Sequence, residues 1–240
     1  MNSSHSSTVL ICRRAALFML LAIVPATGAR AEPFSCSVFE KDSNKSKLLF
    51  TGKRTEKDGN VQTAFLSPDG KEAVTEEVFF KDGKLSKYLL HQKQLGEEGA
   101  LEVREGKIFF TYTKDGKTKT SDEDLTANLI IGPTTVDFIQ ANWDKLIAGD
   151  TVDSRFAALD RRETVGFKFF KEKDLDAGGK PAVQIKMKPS SFVIAAIVKP
   201  LLFTFDKGTK RLVELNGRAL PKQNVDGKWK DLDADLVYKY

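Results

Sequence analysis

This chain predicts a mainly β, α+β fold: a curved antiparallel sheet or half-barrel with one or two helices packed on its concave face. Three observations lead there. Asp-Gly dipeptides recur at 58–59, 69–70, 82–83, 115–116 and 226–227. The stretches between them carry β-branched and aromatic residues, several in strict alternation. One segment near the middle switches to a spacing of three and four. Asp-Gly supplies the positive-φ positions of a tight hairpin turn, so regular spacing of such turns implies consecutive antiparallel strands. Alternation implies one buried and one wet face.

Taken in order, residues 1–31 come first. Arg13 and Arg14 form a positive segment, Ala15–Val24 is an apolar run, and Ala29-Arg30-Ala31 is a small-residue cleavage signal. That order predicts a secretory signal peptide cut after Ala31. Its apolar run is too short to span a bilayer, which takes roughly 20 residues. The expected mature chain, 32–240, is a single β-rich domain exported to the periplasm, with no stable membrane span.

Strands are predicted at Phe34–Phe39, Leu48–Thr55, Val61–Leu66, Ala73–Phe80, Leu85–Gln92, Ala100–Arg104 and Lys107–Thr113. In the last, Ile108, Phe110 and Tyr112 share a face. Next, Val136, Phe138, Ile139, Trp143, Leu146 and Ile147 form an apolar helical stripe, so Thr135–Ala148 reads as one amphipathic helix. Thr134 or Thr135 is its N-cap, Asp137 suits its first turn, and Gly149 suits the position just past its end. Strands resume at Thr151–Leu159, Glu163–Glu172 and Ala182–Lys188. A second helical piece, Phe192–Val198, precedes strands at Leu201–Asp206 and Lys210–Ala219, and a last strand is expected near Ala234–Tyr240.

Composition limits the chemistry. The formal net charge is +5. Three arginines and no acid lie in the leader, which leaves +2, with Lys, Asp and Glu mixed along the chain. No basic block is present, so nucleic acid is not an expected partner. Cys36 is the one cysteine outside the leader, which rules out an intramolecular disulfide and reads as a buried thiol on the first strand. His91 is the one histidine outside the leader, and no G-x-S-x-G elbow accompanies it. One Cys and one His do not make a closed zinc site. Asp122-Glu123-Asp124 lacks the spacing of a calcium loop and reads as a solvated turn. No nucleotide-binding glycine motif occurs. The sequence therefore carries no catalytic motif, metal site or cofactor.

The most unusual stretch is Ser191–Phe205, SFVIAAIVKPLLFTF. A short helix apolar on every side must be buried or must meet an apolar partner. Three readings are open: core packing, a lid over an acyl-chain pocket, and membrane contact. The expected lining of a hydrophobic cavity is Phe138, Trp143, Phe167, Phe192, Ile194, Ile197 and Phe203.

The leader, the run of strands, the central helix and the lid-like helix resemble the periplasmic lipoprotein-carrier half-barrels, which include the bacterial lipoprotein localisation factors. Leu146-Ile147-Ala148-Gly149 ends a helix before strands, and Phe203–Asp206 leads to Arg211–Arg218. In that layout the segment from Leu125 to Ala219 is also similar to uncharacterised exported bacterial proteins of the DUF3108 type. The resemblance implies a cavity between sheet and helices and a place in lipid or lipoprotein traffic. Arg155, Arg161 and Arg162 are the candidates for the carriers' cavity arginine. The leading expectation is a non-catalytic periplasmic protein that binds an acyl chain or lipid. The alternative is an envelope scaffold or assembly factor holding a protein partner. A carboxylate-based envelope hydrolase is a third reading.

Overall fold

The computed structural model describes residues 33–240. The predicted signal peptide lies outside the described residues. The strands are β1 (Phe34–Glu40), β2 (Leu48–Lys57), β3 (Asn60–Leu66), β4 (Glu72–Lys81), β5 (Lys84–Gln92), β6 (Glu97–Arg104), β7 (Lys107–Lys114), β8 (Lys117–Asp124) and β9 (Leu129–Ile130). A 3₁₀ turn (Gly132–Thr134) leads into α1 (Thr135–Ala141) and α2 (Trp143–Ala148). Then come β10 (Val152–Ala158), β11 (Glu163–Asp176), β12 (Pro181–Pro189), α3 (Phe192–Ala195), β13 (Leu201–Asp206), β14 (Leu212–Val225) and β15 (Lys228–Lys239).

All fifteen strands join one curved, unclosed sheet in the order β8-β7-β6-β5-β4-β3-β2-β1-β15-β14-β13-β12-β11-β10-β9. The first half of the described chain thus zigzags outward from β1, and the second zigzags inward to β15. A ladder from Ser35↔Lys239 to Glu40↔Ala234 joins the two ends in the middle of the sheet. Every pairing is antiparallel except the short parallel contact of β9 with β10.

Hairpin chemistry explains this order. Asp58-Gly59, Asp82-Gly83, Asp115-Gly116 and Asp226-Gly227 each have positive φ at both residues, and each closes a two-residue hairpin. Such turns match the twist of the strands they join. Glu105-Gly106 does the same between β6 and β7, although its sequence is not Asp-Gly. Asp69-Gly70 differs: only the glycine has positive φ, and it sits in a wider loop closed by Gly70 N–H donating to the Ser67 carbonyl at 2.9 Å.

The concave face can be followed by register. Phe50 faces Val38, Val38 faces Leu236, Leu236 faces Leu215, Leu215 faces Phe203, and Phe203 faces Ile185. Over β11–β13 this face is covered by α1 and α2. Ile139, Trp143 and Leu146 are buried there against Phe169, Val183, Ile185, Met187, Phe203, Phe205 and Leu212. The single helix expected over Thr135–Ala148 is interrupted at Asn142, which leaves helical geometry (φ −106°, ψ 17°). Its side-chain Nδ2 donates to the Phe138 carbonyl at 2.9 Å, occupying an acceptor of the helix ladder. Gly149 ends α2 in the left-handed region (φ 98°), as expected.

Two further expectations change. Lys117–Asp124 is an edge strand, β8, not a solvated turn: its charges line an outer edge, where they discourage pairing with another chain. The second helical piece shrinks to α3 and does not pack on the concave face; Phe192 is 90% exposed, and Val193 and Ile197 are each 75% exposed.

Where β8 approaches the start of β11, side chains take the place of a ladder. Glu123 on β8 accepts from Thr164 N–H at 3.0 Å and from the Thr164 hydroxyl at 2.5 Å. The Ser121 hydroxyl donates to the Arg162 carbonyl. Arg155 donates to the Thr164 hydroxyl and carbonyl from the same strand pair. The barrel is latched rather than closed.

Candidate functional site

The helices leave the concave face of β4–β8 uncovered, and a cavity of about 970 Å³ forms there. Its walls come from β4–β8, from β10 and the β10–β11 turn, from Gly132 of the 3₁₀ turn and from the β14–β15 hairpin. One strip is apolar: Leu90, Leu95, Phe156, Leu159, Ala219 and Leu220. Gly99 allows Leu159 to fill this interior, since a Cβ at Gly99 would lie 2.8 Å from Leu159 Cδ1.

The rest of the wall is mostly polar, and its Glu76 belongs to a row of inward polar positions on neighbouring strands. Arg54 faces Thr63, Thr63 faces Glu76, and Glu76 faces Leu90. Glu76 accepts from the Tyr88 hydroxyl at 2.6 Å, with both side chains buried. Burial pushes the Glu76 carboxyl up to about 7, against the opposing pull of the Tyr88 hydrogen bond and the Arg54 charge. Burial likewise raises Tyr88 well above the usual phenol range. A second pair sits nearer the mouth, where Glu97 accepts from the Tyr112 hydroxyl at 2.6 Å and lies 2.8 Å from Lys114 Nζ. Burial opposes ionisation of Glu97, but the hydrogen bonds from Lys114 and Tyr112 win and hold it below the ordinary value.

Behind Glu76 lies a buried arginine. Arg54 donates from Nη1 to the Pro133 carbonyl at 2.9 Å, and its Nη2 lies 3.9 Å from Asp137 Oδ2 on α1. Its Nε has no hydrogen-bond partner among the described residues. Burial lowers the Arg54 pKa and raises Asp137 to about 6, the latter against the stabilising charge of Arg54. A contact of 3.9 Å is too long for a strong ion pair, which agrees with Asp137 remaining shifted upward.

Gln92 is 3% exposed and lines the cavity. Its Nε2 donates to the Leu220 carbonyl at 3.3 Å, while its Oε1 accepts nothing among the described residues. An unpaired buried acceptor costs about 1–3 kcal/mol. At the mouth, Gln94 bonds Lys222 both ways, Nε2 to the carbonyl at 2.9 Å and Oε1 from N–H at 2.7 Å. A smaller cavity of about 430 Å³, lined by Leu49, Phe50, Pro68, Gln94 and Trp229 among others, shares the Lys222 and Trp229 walls.

None of the seven residues expected to line a hydrophobic cavity lines either of these two. Trp143 and Phe203 are core; Trp143 stands edge-on to Phe205 at 5.6 Å. Phe138 packs on Phe169 at 5.3 Å, and Phe167 packs on Phe156 at 5.8 Å. Phe192 and Ile197 are exposed, and Ile194 is half-buried between them. The reason is that α1 and α2 fill the space over β11–β13 that those residues were expected to leave open. Of the three candidate arginines, Arg155 is tied to Thr164, Arg161 pairs with Glu163, and Arg162 lines the mouth. The buried arginine is Arg54. Counting by twos from Phe50 through Gly52 reaches Arg54, and from Val74 reaches Glu76, so a charge at an inward strand position was the available signal.

Cys36 is buried, and burial pushes its thiol up to about 12, so it is inert as a nucleophile at neutral pH. His91 Nδ1 lies 3.5 Å from Glu98 across the β5–β6 ladder. No cluster of three metal-ligating side chains occurs among the described residues. Among the same residues, no helix is long and apolar enough to cross a membrane.

Fold and site together define a barrel-like β protein with an open interior cavity of mixed polarity. A solved structure from Brucella abortus, a β-barrel-like protein of domain of unknown function DUF1849, is similar to this chain. The similarity covers 88% of this chain and 96% of that one, with 12% sequence identity and a TM-score of 0.49. No family model and no curated protein matches the chain.

Proposed function

We propose that this protein is an exported, periplasmic binding protein that holds an amphipathic ligand, an acyl chain or lipid carrying a polar group, in the 970 Å³ cavity. The observation that carries this reading is the cavity's two-sided wall. The volume falls within the usual range for small-molecule sites, about 300–1,000 Å³. The strip from Leu90 to Leu220 offers an apolar chain roughly 0.8 kcal/mol per buried CH₂. The orphan Gln92 Oε1 offers an acceptor to a hydroxyl or amide on the same ligand. Nothing in this arrangement requires a reaction: Glu76 is held by Tyr88, Glu97 is held by Tyr112 and Lys114, and the thiol is buried.

The test is native mass spectrometry of protein purified without detergent, followed by organic extraction of what it holds. A stoichiometric acyl-chain mass is the expected result. Leu90→Glu, which sets a carboxylate in the apolar strip, is expected to weaken retention by roughly tenfold or more, as loss of a buried leucine contact implies. Ile194→Asp, outside the cavity, is expected to leave it unchanged. A parent protein that is always empty, or a Leu90→Glu variant that retains ligand fully, would refute the proposal.

A further inference from the structure

The exposed apolar helix α3 has no role in the cavity, yet it stands beside the cavity's mouth. Neighbouring strands alternate in direction, so the loops β1–β2, β3–β4, β5–β6, β7–β8, β10–β11, β12–β13 and β14–β15 all emerge at one end. Leu95, Asp115, Asp160 and Trp229, all wall residues of the cavity, lie in or next to four of them. The β12–β13 loop carries α3. Its base is fixed to the mouth by ion pairs: Lys199 Nζ lies 3.0 Å from Asp233, and Asp233 lies 3.0 Å from Arg218 Nε, a cavity residue.

This end combines two features. Phe192 is 90% exposed, Val193 and Ile197 are 75% exposed, and Trp229 across the mouth is 44% exposed. Four cations of the cavity rim, Lys117, Lys119, Arg162 and Lys230, make no ion pair among the described residues. The rim acid Asp231 is already bound by Arg218 and Lys222, and Glu97 by Lys114, while Asp115 and Asp160 make no ion pair among the described residues. An apolar patch ringed by polar groups marks an interaction surface. The patch here is the tip of a loop rather than a groove. A projecting tip suits a fluid phase that yields around it, whereas a protein partner must supply a shaped pocket. Free cations beside apolar side chains match anionic headgroups above acyl chains.

We infer that the mouth end of the barrel docks on an anionic lipid bilayer, with Phe192, Val193 and Ile197 inserted at the headgroup level. The docked cavity then opens toward the lipid rather than toward water. Docking goes beyond ligand retention and is read separately from it.

The experiment is vesicle flotation of the full chain with phosphatidylethanolamine–phosphatidylglycerol vesicles and with phosphatidylcholine vesicles. Parent protein and a Phe192→Asp, Ile197→Asp double variant carry the same residues 1–32, so their difference reads the tip alone. Both side chains are exposed, and circular dichroism checks that the fold is kept. The expected result is flotation with the anionic vesicles, reduced roughly tenfold or more in the double variant, since two buried apolar side chains are lost. Added salt and Lys117→Glu with Lys119→Glu are expected to weaken it as well, because exposed charges are screened. Equal flotation of parent and double variant overturns the inference, as does equal binding to both vesicle types. A parent that does not float also overturns it and shifts the tip's partner to a protein. Native mass spectrometry of the same preparations reports ligand retention independently, so failure of docking and failure of the cavity reading are told apart.

Discussion

At the level of single residues, two close approaches limit what the concave face tolerates. Gly52 sits between Cys36 and Phe65; a Cβ there would lie 2.5 Å from Cys36 Sγ and 2.9 Å from Phe65 Cε1. Gly52→Ala is expected to destabilise the fold by about 1–3 kcal/mol, the usual range for overpacking. Combined with Cys36→Ala, which removes one of the two clashing atoms, the losses should sum to less than the separate values, as neighbours sharing one space do. Urea midpoints of the two single variants and the double variant check this. Arg54 poses the opposite problem, since it is a charge whose partners are few. Arg54→Ala leaves the Pro133 carbonyl and Asp137 without it, and is expected to cost on the order of 3 kcal/mol. Arg54→Lys recovers only part of this, because a single ammonium does not reproduce a guanidinium that reaches the carbonyl and the carboxylate from separate nitrogens. If Arg54→Ala unfolds at the parent's midpoint, the buried charge is not a structural element.

Among elements, the weakest junction is the latch between β8 and β11. Glu123 holds Thr164 through two hydrogen bonds where no ladder exists. Glu123→Ala should speed amide exchange in β8 and at the β10–β11 turn and cost about 1–2 kcal/mol overall, while the β1–β15 seam keeps its protection. Uniform exchange across the sheet would show that the latch carries no local role. The same junction shows what the sequence made legible. The two-residue hairpins were readable because Asp-Gly accepts positive φ at both positions, whereas Glu105-Gly106 was placed only by the strands predicted on either side of it, because glutamate adopts positive φ rarely. β8 was missed because an edge strand of Lys, Thr, Ser and Asp carries no apolar alternation. The Asn142 break was hidden in a continuous apolar stripe, since Trp143 and Leu146 keep the spacing across it. The cavity was displaced in the reading for one reason: large apolar residues mark a core and a greasy pocket alike. Trp143 and Phe203 fill the first, whereas the actual walls mix Leu90 and Leu220 with Glu76, Tyr88 and Gln92.

For the whole molecule, the buried carboxylates set a pH dependence with two opposing limbs. In the unfolded chain Glu76 ionises near its ordinary value of 4.5, but in the fold at about 7. Below 4.5 both states hold the proton and the fold keeps the full benefit. As pH rises toward 7 the unfolded chain releases its proton while the folded one retains it, so stability falls across that window. Asp137, raised from 3.8 to about 6, acts in the same direction at slightly lower pH. The groups facing Glu76 are Tyr88 on β5 and Arg54 on β2; the Tyr88 hydrogen bond and the Arg54 charge both moderate the shift without cancelling it. Other carboxyls act on the opposite side. Asp231, Asp233 and Glu97 resist burial through cationic partners and are held below their ordinary values, so their contribution is present above those values and is lost as pH falls through the lowered ones. Stability should therefore peak at about pH 4–4.5, where the two limbs meet. Glu76→Gln keeps the side-chain shape and an acceptor for the Tyr88 hydroxyl but cannot ionise. From pH 5 to 8 the parent is expected to lose about 2–3 kcal/mol that the variant largely retains. Denaturant titrations of both proteins at several pH values measure this directly, and parallel profiles would mean that Glu76 is not the group that titrates.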